Sequence, residues 1–242
     1  MGKEMDVKKY AVEALDLLKD NINTIGFAAL LAGVITSLAS VTIVGGVLVA
    51  GPLAGGMFYV IMDVNSGEPF DIKRLFDGFT QNMVPLVLAS LVMSLFISLG
   101  FMFLIVPGIL LTGYYIFTFL YIVDRDMDFW AAMEASRQEG FQDHVRSFAL
   151  GAAMMLPAIV VAVFIMIISV IGMPYMLTAA VVIFAHVLMA AFFSCFAFRA
   201  YVDIVGLVND PKNSVGGGGR VMTAKPKLHV EPPPPPPPPG KK

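Results

Sequence analysis

Three histidines are the side chains of this chain best suited to acid–base or metal chemistry, because an imidazole titrates near neutral pH and binds metal ions. They are His144, His186 and His229, and they are too far apart to form a zinc-binding helix motif. His186 lies inside an apolar stretch, where an ionisable residue is a functional candidate by default. We favour the alternative, in which its neutral ring bonds a neighbouring hydroxyl or carbonyl group. We therefore predict no catalytic residue and no metal site.

The sulfur-containing side chains are one cysteine, Cys195, and sixteen methionines. A single cysteine allows no disulfide within the chain, and inside an apolar run it is expected to pack as a small hydrophobic residue. The methionines are scattered, which is typical of residues that fill gaps in a core. The sequence lacks a nucleophile elbow, a P-loop and a dinucleotide-binding fingerprint. We therefore predict a non-enzymatic protein that needs no cofactor.

A stripe of serines repeats at four-residue steps and so lies on one face of a predicted helix. Its members are Ser90, Ser94 and Ser98. Hydroxyl groups in this arrangement could line a polar path. In membrane helices, however, serine more often bonds its own backbone or lets a neighbour pack closely. We favour packing and keep the polar path as the alternative.

Two glycine–proline breaks interrupt the apolar stretches. The first contains Gly51, Pro52 and Gly55, and the second is Pro107-Gly108. Small residues four positions apart let helix backbones approach closely in lipid, so our interpretation is helix packing, with a ligand cavity at the break as the alternative. A matching stripe one stretch earlier predicts a tight hairpin of the first two spans; it consists of Ala29, Gly33 and Ser37.

The elements that carry these residues are predicted from the distribution of charge. No Asp, Glu, Lys or Arg occurs in residues 22–62, 83–123 or 147–198, and mean hydropathy is +0.79. Each of these stretches exceeds the roughly 20 apolar residues that cross a bilayer. The sequence predicts an all-α membrane bundle of six spans over 22–205, preceded by an amphipathic helix within 1–21. The predicted spans are 22–43, 47–64, 83–105, 107–123, 147–171 and 174–198.

Both polar loops carry apolar residues at helical spacing, which predicts in-plane helices at the membrane surface. In the first loop the apolar face is Ile72, Leu75, Phe76 and Phe79. In the second loop Phe129, Trp130 and Met133 are predicted to face the membrane. Both loops close with Gly-Phe, at Gly78 and at Gly140, 62 positions apart. Spans 2–3 and 4–5 with their loops therefore form a predicted direct repeat.

Residues 206–242 form a predicted flexible tail that is rich in glycine and proline. A run of eight prolines predicts a polyproline II rod of about 25 Å at 3.1 Å per residue. Such a rod can dock into an aromatic groove of a cytoplasmic protein, and a passive spacer is the alternative. The candidate docking residues are Pro232, Pro233, Pro234, Pro235, Pro236, Pro237, Pro238 and Pro239.

Six spans place both termini and both polar loops on one face of the membrane, and all sixteen Lys and Arg residues lie there. The positive-inside rule makes this face cytoplasmic. Membrane lipids are the expected contacts. No basic patch is interleaved with aromatic residues, so we predict no nucleic-acid partner.

The chain resembles a diffuse bacterial family of six-span membrane proteins that includes the membrane domain attached to some glycerophosphodiester phosphodiesterases. The resemblance covers about residues 5–208 and implies a shared fold and an inner-membrane location, but no activity. The matching motifs are Gly51-Pro52-Leu53 with Gly55-Gly56, Phe76-Asp77-Gly78-Phe79, Val106-Pro107-Gly108-Ile109, and Phe129 to Ala132 with Ser136 and Gly140.

Two functional hypotheses of different classes follow. In the first, the protein is a non-enzymatic scaffold or accessory subunit whose tail presents the polyproline rod. In the second, it is a transporter or channel for a small neutral or lipidic solute. Ion-coupled transport is disfavoured, because no acidic or basic residue lies inside the charge-free stretches. We favour the first hypothesis.

Overall fold

The computed structural model describes residues 7–39, 43–69, 71–171 and 175–208, and these are helical without any strand. The predicted tail beyond Val208, including the eight candidate docking prolines, lies outside the described residues. The elements are α1 Val7–Asp20, α2 Ile22–Ala39, α3 Ile43–Ser66, α4 Lys73–Thr80, α5 Met83–Phe103, α6 Ile105–Tyr114, α7 Thr118–Arg125, α8 Phe129–Gln142, α9 His144–Ile171 and α10 Tyr175–Ile204.

Six segments of the described chain are long and apolar enough to cross a membrane, which confirms the predicted all-helical, multi-pass fold. Four of them lie within α2, α5, α9 and α10. The fifth lies in α3 and the sixth comprises α6 and α7 together, from Ile105 to Arg125. The protein is therefore a multi-pass membrane protein.

The six segments differ strongly in the share of their residues that is buried inside the protein. The segment in α3 is 61% buried and the one formed by α6 and α7 is 50% buried, whereas α5 is 17% and α9 only 12% buried. The core lies where the second half of α3, α7 and the last third of α10 meet, with α1 packed against α10. Helices α5 and α9 thus lie at the periphery and present apolar surface to lipid.

The predicted fourth span is broken into two helices. Helix α6 ends at Tyr114 and α7 begins at Thr118, with a turn between them. The hydroxyl of Ser136, on α8, donates to the carbonyl of Tyr114 at 2.7 Å and accepts from the amide of Phe117 at 3.2 Å. Irregular backbone within an apolar segment is tolerated where protein groups satisfy its hydrogen bonds in this way. A continuous helix over 107–123 is therefore the wrong description of this span.

Helices α4 and α8 occur where in-plane helices are predicted. However, each packs residues of its predicted membrane-facing side against other helices of the protein. On α4, Leu75 is completely buried against α3, so the prediction that it belongs to a membrane-facing apolar side is wrong for this residue. On α8, Trp130 is 60% exposed, whereas Met133 is 3% exposed and faces the protein. The prediction that Met133 faces the membrane is wrong, because the small residues Ala132, Ser136 and Gly140 bring this side of α8 against its neighbours.

The small residues of α2 and α3 serve contacts other than the predicted ones. Helix α2 does pack against α3. However, a Cβ placed on Gly33 of α2 would lie 2.6 Å from Val187 of α10, and one on Gly55 of α3 would lie 2.5 Å from Leu86 of α5. Gly33 and Gly55 therefore do not form the closest contacts between α2 and α3. Each of these two glycines accommodates a bulky side chain of a third helix.

Candidate functional sites

The first glycine–proline break is a closely packed junction of α3, α4 and α5. A Cβ at Gly51 would overlap the carbonyl oxygen of Leu86 and would lie 2.8 Å from the hydroxyl oxygen of Ser90. The carbonyl oxygen of Pro52 lies directly against Gly78 of α4. Backbone and side-chain atoms of two other helices thus occupy the space that a ligand would need beside these residues.

The second break, Pro107-Gly108, is occupied by α5. A Cβ at Gly108 would overlap the ring of Phe101, and one at Gly100 would lie 3.1 Å from the Cα atom of Gly108. The Thr112 hydroxyl donates to the Gly108 carbonyl at 2.9 Å, as serine and threonine often do within helices. The small residues at this break therefore allow α5 and α6 to pack closely against each other.

The serine stripe of α5 bonds its own backbone. The hydroxyl of Ser90 donates to the carbonyl of Val87 at 2.8 Å, and that of Ser94 to the carbonyl of Leu91 at 2.8 Å. Ser94 and Ser98 are exposed on the outer side of the helix. The three residues therefore share a face of α5, but they do not meet polar groups of another helix.

His144 and His186 lie on different helices, and His229 lies outside the described residues. His186 lies within α10, but its side chain belongs to the part of the chain that the structure leaves undescribed. His144, for which the sequence suggests no partner, lies at the start of α9. Its Nδ1 is 2.7 Å from the hydroxyl oxygen of Tyr114, and its ring meets Phe141 edge-on. Among the described residues no group of three His, Cys, Asp or Glu side chains could hold a metal ion.

Arg74 is the centre of a polar group that sequence reasoning missed, the first arginine cluster. Its guanidinium donates to both carboxylate oxygens of Asp63 at 2.6 and 2.8 Å and to Asp77 at 2.7 Å. The same group lies 5.4 Å from the ring centroid of Tyr59, whose hydroxyl accepts from Asn82 at 2.8 Å. The hydrogen bonds to Asp63 raise the pKa of Arg74 despite its partial burial. This cluster joins α3, α4 and the start of α5.

Arg125 is the centre of a second arginine cluster. Its Nε donates to the Tyr201 hydroxyl at 3.1 Å, and that hydroxyl donates to Asp124 Oδ2 at 2.9 Å. A second guanidinium nitrogen donates to the carbonyl of Gly206 at 3.3 Å. The guanidinium also lies 5.4 Å from the ring centroid of Tyr121. The cluster therefore joins α7 to the last turns of α10 and the residues that follow it.

Further polar contacts bring the chain ends and the loops to the same side of the spans. The Tyr10 hydroxyl of α1 donates to Asp203 Oδ2 of α10 at 2.7 Å. Arg199 of α10 donates to Asn65, at the end of α3, at 3.4 Å. Burial and the neighbouring carboxylate of Asp203 raise the pKa of Tyr10. Together with the second arginine cluster, these contacts place α1 and the ends of α3, α7 and α10 at one end of the molecule.

An open pocket of about 130 Å³ lies between α5, the end of α6 and α8. At its edge Arg137 donates to both carboxylate oxygens of Glu134, at 2.8 and 2.6 Å. These bonds, with one from Gln138, lower the pKa of Glu134 to about 2, and the carboxylate in turn raises the pKa of Arg137. The pocket lining is Phe96, Tyr115, Trp130, Met133, Glu134 and Arg137.

Comparison with known proteins assigns no role to these sites. The chain matches no family model, no curated protein and no solved structure. The geometry of the described residues is therefore the basis on which a function is inferred.

Proposed function

We propose that this protein is a non-enzymatic scaffold or accessory subunit of the membrane, which presents its charged face and its proline-rich tail to the cytoplasm. The observation that carries the proposal is the packed body at one end of the spans. There the two arginine clusters and the contact between Tyr10 and Asp203 use charged and polar groups to hold helices together. Groups committed to such contacts position segments of the chain rather than perform chemistry.

The orientation follows from charge. The stretches that join the spans on the other side carry no Lys or Arg, whereas all sixteen such residues lie in the segments on the side of α1 and in the tail. The positive-inside rule favours a cytoplasmic location for that side, in the bacterial inner membrane that the family resemblance implies. The polyproline rod would then extend into the cytoplasm, where an aromatic groove can bind it at low entropic cost.

Crosslinked co-purification from intact cells tests the scaffold role. We compare the full chain with a chain that ends at Ser214, and with a chain in which residues 232–239 are replaced by a Gly-Ser segment of equal length. A specific partner that is recovered only with the intact prolines supports docking. Recovery of the same proteins with all three chains would overturn the docking role and leave the tail a spacer.

The orientation is tested separately, by labelling single cysteines. Cys195 is the only cysteine and is buried, so a Cys195→Ala chain provides a clean background. A cysteine at Lys73 is expected to be shielded from an impermeant maleimide in intact cells, whereas one at Leu104, in the turn between α5 and α6, is expected to react. The reverse pattern would contradict the cytoplasmic assignment.

Transport of a small neutral or lipidic solute is the second candidate, and repeated contacts favour it. Gly78 lies against Pro52, and Gly140 lies against Tyr114. Each residue of the second pair follows its equivalent in the first pair by 62 positions. Tyr121 likewise follows Tyr59 by 62 positions, and each ring lies under an arginine. These equivalences support a direct repeat, which many transporters contain, and the broken span of α6 and α7 is a second feature of such folds. A solute that raises the thermal midpoint of the purified protein would favour this candidate.

A further inference from the structure

The α8 side of the pocket between α5 and α8 lies close to the point where the charged loop gives way to the apolar residues of α9. Gly140 of α8 lies against Tyr114, and its carbonyl accepts a hydrogen bond from Ser147 in the first turn of α9 at 2.9 Å. The charge-free stretch 147–198 begins at that serine, one residue after Arg146. Lipid headgroups occupy this boundary, and tryptophan is enriched there. Trp130 is the only tryptophan of the chain, lies at the pocket and is 60% exposed.

The pocket combines aromatic surface with one charge of each sign. Phe96 and Tyr115 contribute neighbouring rings with centroids 6.2 Å apart, and Trp130 adds a third ring. Aromatic faces attract ammonium groups, and the Glu134 carboxylate adds a negative charge beside them. Arg137 binds Glu134 through Nε and one terminal nitrogen, while its Nη1 makes no hydrogen bond to the described part of the chain. A guanidinium with such donors can bind a phosphate.

The size and position of the pocket decide between a free ligand and a lipid. A volume of about 130 Å³ is well below that of pockets that enclose drug-sized molecules, which begin near 300 Å³. It admits a headgroup but not acyl chains. Alongside the pocket, α5 exposes Leu91, Leu95 and Leu99, which are each at least 41% exposed. Acyl chains can lie along this apolar face while the headgroup enters the pocket.

We propose that this pocket binds the headgroup of a zwitterionic phospholipid, with the ammonium group between the rings and Glu134 and with the phosphate on Arg137. An anionic lipid such as phosphatidylglycerol offers the same phosphate to Arg137 but has no ammonium group to face Glu134, so the pocket favours the zwitterionic lipid. The proposal requires only the membrane location and is independent of the scaffold role.

Quenching of Trp130 fluorescence tests the proposal directly, because this residue is the sole tryptophan. The full chain in dodecyl maltoside micelles is titrated with phosphatidylethanolamine or phosphatidylglycerol that carry the same spin label on the acyl chain. We expect half-maximal quenching at an about tenfold lower mole fraction of phosphatidylethanolamine, which corresponds to one charge-assisted contact. Equal quenching by the two lipids would overturn the proposal.

A substitution that changes the charge of the pocket gives a more specific test of the lipid preference. Glu134→Gln makes the pocket positive and is expected to reverse the preference toward phosphatidylglycerol. The matched control is Glu13→Gln, which removes the carboxylate of an exposed ion pair with Lys9 on α1 and should leave the preference unchanged. Circular dichroism of both variants checks that they are folded. A Glu134→Gln chain that is folded and keeps the original preference contradicts the proposal.

Unlabelled glycerophosphoethanolamine distinguishes a lipid from a soluble ligand of the same chemistry. It should relieve the quenching only at concentrations far above those of the lipid, because it lacks the contacts of the acyl chains with α5. Relief at the concentration of the labelled lipid would overturn the assignment to a membrane lipid and favour a soluble phosphoamine.

Discussion

The hydroxyl of Tyr201 donates a hydrogen bond to Asp124 Oδ2 at 2.9 Å and accepts one from Arg125 at 3.1 Å, so that one side chain of α10 contacts both charges at the end of α7. Tyr201 is completely buried, and the Asp124 side chain is 2% exposed. Charged groups held in this way are costly to leave with fewer partners. The Tyr201 hydroxyl therefore contributes to the stability of the junction between α7 and α10, together with the bond from Arg125 to Gly206.

Tyr201→Phe tests this contribution. We expect the free energy of unfolding to fall by about 1–3 kcal/mol, because the carboxylate of Asp124 loses a donor where water cannot replace it. Thermal unfolding in detergent, followed by circular dichroism, measures the change. The control is Tyr115→Phe, since the Tyr115 hydroxyl has no hydrogen bond among the described residues. Equal effects of the two variants would show that the hydroxyl of Tyr201 contributes nothing specific.

Gly78→Ala tests the close approach of α4 to α3. A Cβ at this position overlaps the backbone carbonyl of Pro52, which cannot move aside as a flexible side chain can. Overpacking of this kind costs about 3 kcal/mol, and we expect a corresponding fall of the thermal midpoint.

Gly26→Ala is the matched control for that variant, because its Cβ would lie 3.5 Å from the end of the Ile22 side chain, in ordinary contact. It should stabilise the protein by up to about 1 kcal/mol through the higher helix propensity of alanine. A Gly78→Ala protein as stable as Gly26→Ala would refute the packing seen at this junction.

Ser136→Ala tests how the break between α6 and α7 is maintained. The variant removes the hydroxyl that bonds both the Tyr114 carbonyl and the Phe117 amide in a buried place. We expect a loss of about 1–3 kcal/mol, the cost of a backbone group left without its partner. Ser94→Ala removes a hydroxyl that is exposed and bonds its own helix, so its stability should change by less than about 0.5 kcal/mol.

The contact between Tyr10 and Asp203 predicts a dependence on pH. Burial and the carboxylate raise the pKa of Tyr10 in the folded protein above its ordinary value of 10.0. The contribution of this group is therefore fully present below pH 10 and is lost as the pH rises toward the folded-state pKa. Tyr10→Phe should be less stable than the wild type by about 1 kcal/mol at pH 7.

The measurement for Tyr10→Phe is the thermal midpoint of both proteins between pH 7 and pH 11. Since only the wild type can lose the Tyr10 proton, the difference between the midpoints should shrink as the pH increases. The other tyrosines titrate in both proteins and cancel in the comparison. A constant difference over the whole range would mean that this hydroxyl does not ionise on unfolding.

The sequence predicts the spans well because a segment that crosses lipid needs about 20 consecutive apolar residues without charge, and this can be read along the chain. Helical spacing also places Leu75 on the apolar face of α4, but it does not reveal that this residue packs against α3 rather than against lipid. The charge-free stretches and the segments found in the structure accordingly begin and end close to one another.

Features that depend on a second segment escape the sequence. Nothing between Ile109 and Leu120 marks the end of α6, because the break is stabilised by Ser136 of a later helix. Met133 has the spacing of a membrane-facing residue, yet the small side chains beside it allow this side of α8 to pack against neighbouring helices. Both arginine clusters join residues of different helices, and hydrophobic periodicity carries no information about such pairs. No pattern within α2 identifies Val187 as the residue that faces Gly33.

The unequal burial of the six segments has a consequence for how the chain enters the membrane. The segment in α3 is the least apolar of the six and the one most enclosed by protein, whereas α9 is the most apolar and the least enclosed. Insertion by the translocon depends on the apolar character of each segment as it emerges. Helices α5 and α9 can partition into lipid by themselves. Helix α3 precedes α5 along the chain but depends on it for packing at Gly51 and Gly55, so its final position is reached only after α5 has been synthesised.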